Sequence, residues 1–372
     1  MIVSLQLQAA IAQRAGVGRY VHTLAPLLAA HKGVDDRLLG FFFDFRNNGS
    51  PFPAGTLEEH RVRWVPGAAV QQAWKRLGFP PYTWFAPHAD VHHFTNFVIP
   101  PVSRKAKTVV TIHDASYLRF PETLEPKNLA YLRKHIDATV RRADLILTVS
   151  ETIAAELREA YSLPRDRVRA TRLGPPPSMT PIEEDAAGPL LKPLGLDKPF
   201  LLHVGTLEPR KNHTFLFEVF NRLDTFEGDL VLCGMEGWHV EPILRALENS
   251  PKRTRIRRLD FVSDAQLTAL YRRAEALLFP SLYEGFGLPP IEAMRQGCPV
   301  ISSDGGSLPE VVGQGGMVLP LETETWVAAV GALLSDSARR AAQVEAGRTR
   351  AAEFSWERCA DETWAAYRAV AS

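Results

Sequence analysis

Short apolar or β-branched runs alternate along this chain with stretches whose apolar residues recur at helical spacing, the pattern of βα units wound about parallel sheets. In the first half the runs predict strands at Ile2–Leu7, Leu38–Phe43, Val91–Phe94, Thr108–Ile112 and Leu145–Val149. The second half repeats the series at Phe200–Val204, Leu230–Cys233, Arg257–Phe261, Ala276–Phe279 and Pro299–Ser302. Between them Leu173–Leu196 is rich in proline and carries an acidic patch at Glu183–Asp185, the composition of a linker. The reading is an α/β protein of two Rossmann-like domains facing one another across a cleft, with the boundary near residue 185. Residues 354–372 carry Trp356, Cys359, Ala360, Trp364 and Tyr367 at helical spacing and predict a helix that packs back on the N-terminal domain. The domains are then 1–185 with 354–372, and 186–353.

Composition narrows this picture. The chain has 372 residues, 45% hydrophobic and 23% charged, enough for two buried cores and wrong for a disordered or fibrous protein. No apolar stretch approaches the roughly 20 residues of a spanning helix, and no charged-then-apolar leader opens the chain, so a cytoplasmic protein is expected. The three cysteines are widely spaced, without a CxxC pair, and predict buried, inert thiols. A net charge of +1 hides an asymmetry. Residues 1–186 hold 23 Lys/Arg against 18 Asp/Glu, and the remainder 20 against 24. The first-half surplus gathers at Arg104, Lys105, Lys107, Arg133, Lys134, Arg141 and Arg142, which suits an anionic partner such as a membrane surface or diphospholipid, or simply a solvated face.

The most informative stretch is FPSLYEGFGLPPIEAMRQGCPV, residues 279–300, which passes from a strand through a Gly-rich loop into a helix. Gly285 and Gly287 let backbone approach a ligand, Pro289 and Pro290 suit a first helical turn, and the helix start offers N–H groups to a phosphate. Glu284 and Glu292 would flank that pocket, Glu292 from the first helical turn. Carboxylates are poor phosphate ligands but good acceptors for sugar hydroxyls. The loop is suited to a molecule carrying both.

Glu284 and Glu292, seven residues apart within EGFGLPPIEAM, resemble the E-x7-E signature of retaining glycosyltransferases of the GT-B fold, most closely family 4. HVGTLEPRKNHTF (203–215), FVSDAQL (261–267), ADLILTVSETIAAEL (143–157), GVGRY (16–20) and TIHD (111–114) resemble further segments of that family in matching order. The resemblance implies that Arg210 and Lys211 neutralise the donor diphosphate and that Glu292 accepts from the ribose. Glu284 with the N–H groups of Phe286, Gly287 and Leu288 would hold the transferred sugar and phosphate. Gly205 and Thr206 would line the donor, main-chain groups of Val262 would meet the base, and Gly16 and Val17 would approach the diphosphate. Many relatives carry Arg where this chain has Thr206, so Arg210 would supply the second charge. His113 would contact the donor sugar near its reacting carbon, with Asp114 either fixing its tautomer or forming an Asx turn. His92 and His93 would shape the acceptor side.

No Asp-x-Asp occurs, and no His/Asp cluster has metal-ligand spacing, so neither a metal nor another cofactor is expected. The implied activity is metal-independent transfer of a sugar, with GDP-mannose favoured over UDP-sugars, to a lipid-linked glycan or polysaccharide acceptor in surface-glycan synthesis. No nucleic-acid partner is expected, and the inner face of the cell membrane is a candidate location. A catalytically weak sugar-nucleotide-binding subunit and a sugar-nucleotide epimerase of like architecture are the alternatives.

Overall fold

The computed structural model describes residues 1–12, 16–103 and 107–372. The chain forms two compact units: Met1–Ala115, Asn128–Arg172 and Trp356–Ser372 make the first, Ser116–Lys127 and Leu173–Ser355 the second.

The first unit is built on a parallel sheet of β1 (Ile2–Gln6), β2 (Arg37–Phe43), β3 (Glu58–Val62), β4 (Val91–Phe94), β5 (Lys107–Ile112), β6 (Leu145–Thr148) and β7 (Val168–Ala170). Their spatial order is β3-β2-β1-β4-β5-β6-β7. The second sheet comprises β8 (Phe200–Val204), β9 (Asp229–Cys233), β10 (Ile256–Leu259), β11 (Ala276–Phe279), β12 (Val300–Ser303) and β13 (Met317–Leu319), ordered β10-β9-β8-β11-β12-β13. Each is a doubly wound sheet whose order reverses beside its first strand, between β1 and β4 and between β8 and β11. Ligands of open α/β sheets bind outside the carboxyl ends of the strands at such switch points.

The central strands are buried on both faces and therefore read as unbroken apolar runs. Strands β3, β7 and β13 escape the sequence pattern because they are sheet edges, the first solvated and the other two short. Glu-Glu-His-Arg-Val in β3 is mostly solvated, and three residues in β7 or β13 carry no periodicity. The Pro-rich stretch is not a free linker. It contains a helix, Glu184–Leu191, and buries Leu173, Met179, Ala187 and Leu191, while the Gln296 side-chain amide donates to the Met179 carbonyl at 3.0 Å.

The C-terminal helix Trp356–Ala371 packs within the first unit. The Trp364 indole donates to the Leu28 carbonyl at 2.9 Å, and the Tyr367 hydroxyl is hydrogen-bonded to His93 Nδ1 at 2.6 Å. Cys233, Cys298 and Cys359 are free and buried, and burial pushes each thiol up to about 12, so all three are inert at neutral pH. No helix among the described residues is long and apolar enough to cross a membrane.

Candidate active site

In the second unit the loops after β8 and β11, on either side of the switch point, carry the charged groups. After β8 the chain runs through Gly205 and Thr206 into a single turn, Pro209–Lys211, and Asn212 then adopts a left-handed conformation that turns it into the His213–Asn221 helix. This turn aims two consecutive cations at one carboxylate. Arg210 donates to Glu284 Oε2 at 2.9 Å and to the Tyr283 carbonyl at 2.7 Å, and Lys211 Nζ forms an ion pair with Glu284 Oε1. The Lys211 ammonium also lies 5.4 Å from the centre of the Phe279 ring.

Glu284 is buried, which alone would raise its pKa, but Arg210 and Lys211 overcome that penalty and hold the carboxyl near 2. Glu208 was not singled out from the sequence and belongs to the same cluster. It is almost fully buried, with Oε1 accepting from Arg210 at 2.7 Å and Oε2 lacking a hydrogen-bond partner. Burial pushes its pKa up, against the pull of Arg210 and Lys211. Its signal was a charged residue between the apolar Leu207 and the helix-starting Pro209, a context that reads equally as an ordinary turn.

The two loops need glycine where backbones meet. A Cβ on Gly234 (φ 157°) would lie 2.1 Å from the Gly205 carbonyl oxygen, and one on Gly306 (φ 62°) 2.4 Å from that of Glu284. Gly306 and Glu284 form a parallel bridge, and Ser307 N–H donates to the Glu284 carbonyl at 2.9 Å, so the loop after β12 supports the carboxylate's backbone.

Gly287 (φ 104°) caps the Leu288–Arg295 helix. Pro289 and Pro290 occupy its first turn, so Leu288 and Ile291 are the only early helical residues with an N–H to offer. Glu292 lies past the first turn, contrary to the sequence expectation, because the helix starts at Leu288. Its carboxylate is buried and accepts from the Tyr271 hydroxyl at 2.8 Å. Phe286 is buried with its ring 5.7 Å from that of Phe354. Val262 is half-buried just before the Asp264–Arg273 helix, whose Ser263/Gln266 capping box fixes its start, and the neighbouring Phe261 ring is exposed.

In the first unit Gly16 (φ 37°) caps the helix Val17–Ala30. Tyr20 of that helix meets His113 edge-on at 4.9 Å and reaches Thr111 Oγ1 at 3.2 Å. His113 Nε2 donates to the Thr95 carbonyl at 2.8 Å. A carbonyl can only accept, so Thr95 fixes the neutral tautomer with the proton on Nε2 and leaves Nδ1 as an acceptor. The orienting group is thus a backbone carbonyl of the β4 loop rather than Asp114. Burial lowers the His113 pKa, which keeps the ring neutral. His93 is not a surface residue: its Nε2 is hydrogen-bonded to Thr111 Oγ1 at 2.8 Å, so it ties Tyr367 to the β5 strand from within the core. His92 is equally buried, edge-on to Tyr82.

The basic surplus disperses. Lys107 lies 3.5 Å from Asp144, and Arg142 donates to the carbonyls of Pro100 and Val102. Arg133, Lys134 and Arg141 are exposed on the Pro126–Arg142 helix, while Arg104 and Lys105 lie outside the described residues.

Two doubly wound units, one holding an Arg-Lys-Glu cluster and a glycine-capped helix beside its switch point, define a glycosyltransferase of the GT-B class. Residues 14–174 match the model of Glycosyltransferase Family 4, and residues 192–350 match that of Glycosyl transferases group 1. The chain is 33% identical over 303 residues to O-antigen chain mannosyltransferase B of Escherichia coli, across 80% of this chain and 77% of that protein. It is 30% identical over 283 residues to the serotype-specific mannosyltransferase WbdA of Escherichia coli, across 74% of this chain but 34% of that longer protein. Among solved structures, sucrose-phosphate synthase from Thermosynechococcus elongatus superposes with a TM-score of 0.77 at 20% identity, over 99% of this chain and 98% of that one. The chain belongs to glycosyltransferase family 4. It is a glycosyltransferase.

Proposed function

We propose that the protein transfers mannose from GDP-mannose, with retention and without a metal, to a lipid-linked or polysaccharide acceptor in surface-glycan synthesis. The observation that carries this reading is the convergence of Arg210 and Lys211 on Glu284, beside a helix start opened by Gly287. The mannosyltransferase names of two Escherichia coli relatives support the sugar. In this reading residues 186–353 bind the donor, and residues 1–185 with 354–372 bind the acceptor from the cytoplasmic face of the membrane.

Both cations hold the diphosphate as its negative charge grows on leaving. Glu284 keeps lone pairs for sugar hydroxyls, Glu292 serves the ribose, and the backbone of Gly205, Thr206, Val262, Phe286, Gly287 and Leu288 lines the donor. Arg210 takes the place of the cation that Thr206 does not supply. Two features support metal independence: Asp-x-Asp is missing from the sequence, and among the described residues no three His, Cys, Asp or Glu side chains gather closely enough to hold an ion. From the first unit, Gly16 and Val17 approach the diphosphate, and neutral His113 offers Nδ1 to a sugar hydroxyl near the reacting carbon. The acceptor oxygen bonds to the anomeric carbon as the bond to the diphosphate oxygen breaks, and the acceptor proton passes to that departing oxygen.

The test is release of nucleotide from a panel of GDP- and UDP-sugars, with and without EDTA. GDP-mannose should turn over in both conditions, and Lys211→Ala and Glu284→Ala should each cut turnover on the order of 100-fold. Turnover confined to a UDP-sugar would replace the donor, and activity lost with EDTA and restored by Mn²⁺ would overturn metal independence.

A further inference from the structure

Among the described residues ten large apolar side chains stand in solvent, and four of them gather in one stretch. Among the described residues, Trp64 is 71% exposed, Leu77 76%, Phe79 51% and Trp84 65%, all within one segment of 21 residues in the first unit. Nothing in the proposed chemistry uses them. The three aromatic ones are linked by ring contacts and one hydrogen bond. Trp64 stacks on Phe85 at 5.4 Å, Trp74 meets Phe85 at 6.2 Å and donates to the Pro80 carbonyl at 2.6 Å, and Phe79 lies edge-on to Trp84 at 5.0 Å.

Along the segment that bears these rings the charge has one sign. Between Glu59 and Asp90 the sequence holds Arg61, Arg63, Lys75 and Arg76 and no acidic residue. Lys75 and Arg76 are exposed in the last turn of the Gly67–Leu77 helix, next to Leu77 and Phe79. The Lys75 ammonium lies 4.6 Å from the centre of the Tyr131 ring, and Lys134 Nζ donates to the Lys75 carbonyl at 3.3 Å, so the patch continues onto the Pro126–Arg142 helix. That helix adds exposed Arg133, Lys134 and Arg141, with Asp137 the one acidic side chain along it.

We propose that the face carrying Trp64, Leu77, Phe79 and Trp84 inside the Lys75, Arg76, Arg133 and Lys134 surround docks on an anionic lipid bilayer. Clustered exposed rings, two of them tryptophan, suit the headgroup boundary, where an amphipathic ring keeps its polar edge wet and its body in acyl chains. A surplus of exposed cations suits a negative leaflet, and its contribution fades with salt. A membrane-borne acceptor would then meet the enzyme on the first unit. The inference rests on the acceptor reading above, but its physical content is separate from turnover.

Co-sedimentation with vesicles tests it in the absence of donor and acceptor. The full chain should bind vesicles containing phosphatidylglycerol, and bind those of phosphatidylcholine alone far less. Trp64→Ser with Trp84→Ser, and separately Lys75→Gln with Arg76→Gln, should each weaken binding about tenfold. Val34→Ser, which removes an exposed apolar side chain elsewhere, should change nothing. Donor hydrolysis without vesicles, unchanged in all three variants, shows that they are folded. Equal binding to both vesicles, no binding, or unaltered binding by the double variants overturns the proposal. Loss of a dimer in the tryptophan variant makes the face an interface between copies and overturns it too. If vesicles bind normally while no sugar nucleotide turns over, the acceptor reading fails and the docking surface stands.

Discussion

At the scale of single residues, the cluster around Glu284 sets charge against burial. Two cations hold a buried carboxyl near 2, so its ion pairs persist throughout the neutral range. Because the folded value lies below the ordinary one, this stabilisation is complete above roughly pH 4.5 and is lost as pH falls toward about 2. The stability difference between wild type and Glu284→Gln should therefore shrink across that window in denaturant titrations. A difference that grows on acidification would contradict the assignment. In turnover, removing the carboxylate's grip on Arg210 and Lys211 should cost on the order of 100-fold in kcat, the usual scale for a lost preorganised electrostatic contact. His113 is shifted in the same direction for a different reason. Burial lowers its pKa, so the neutral ring with Nδ1 as acceptor survives below the ordinary histidine range and fails only when more acid protonates it. The acid limb of kcat/KM should fall below about pH 6.5, and a limb at or above that value argues against this role. That His113 stands in a loop at the end of a strand was legible in the sequence. That Thr95 selects its tautomer was not, because the bond crosses from β4 to β5.

At the scale of elements, loop contacts decide where the charges point. Glu284 was visible in a Gly-rich loop, but the Gly306 bridge that supports it comes from the next βα unit and has no sequence period. Gly306→Ala places a methyl against the Glu284 carbonyl in a left-handed conformation, and should cost about 1–3 kcal/mol in denaturant unfolding while weakening nucleotide-sugar stabilisation in thermal shifts. The segment Ser116–Lys127 follows His113 in sequence yet groups with the second unit. Phe120 packs 5.6 Å from Tyr283, and the Trp238 indole donates to the Thr123 carbonyl at 2.7 Å. Trp238→Phe deletes that bond and should release the segment by about 1 kcal/mol, read as faster protease cleavage within 116–127 at unchanged global stability. Unchanged cleavage would mean the bond does not hold the segment.

At the scale of the whole molecule, the C-terminal helix closes the first unit with residues as many as 336 positions from their partners. Trp356, Trp364 and Tyr367 are buried, and Trp364 lies against the helix Val17–Ala30. Trp364→Ala should cost about 3–5 kcal/mol, seen as a lowered denaturation midpoint, the penalty for a large core cavity. A shift below 1 kcal/mol would mean that the helix is peripheral to the fold. The local pattern alone determined the two parallel sheets, their central strands and the amphipathic C-terminal helix, because burial on both faces of a strand and one face of a helix writes a short-range period into the chain. It also marked Glu284 and His113 through loops placed after strands, while Arg210 and Lys211 came from the resemblance to family 4. Tertiary structure alone decided the edge strands, the inclusion of Glu208, the burial of His93 and Glu292, and the gathering of Trp64, Phe79 and Trp84 on one face. Each of these depends on which distant backbone or ring lies alongside, and a contact between residues far apart in sequence leaves no period to read.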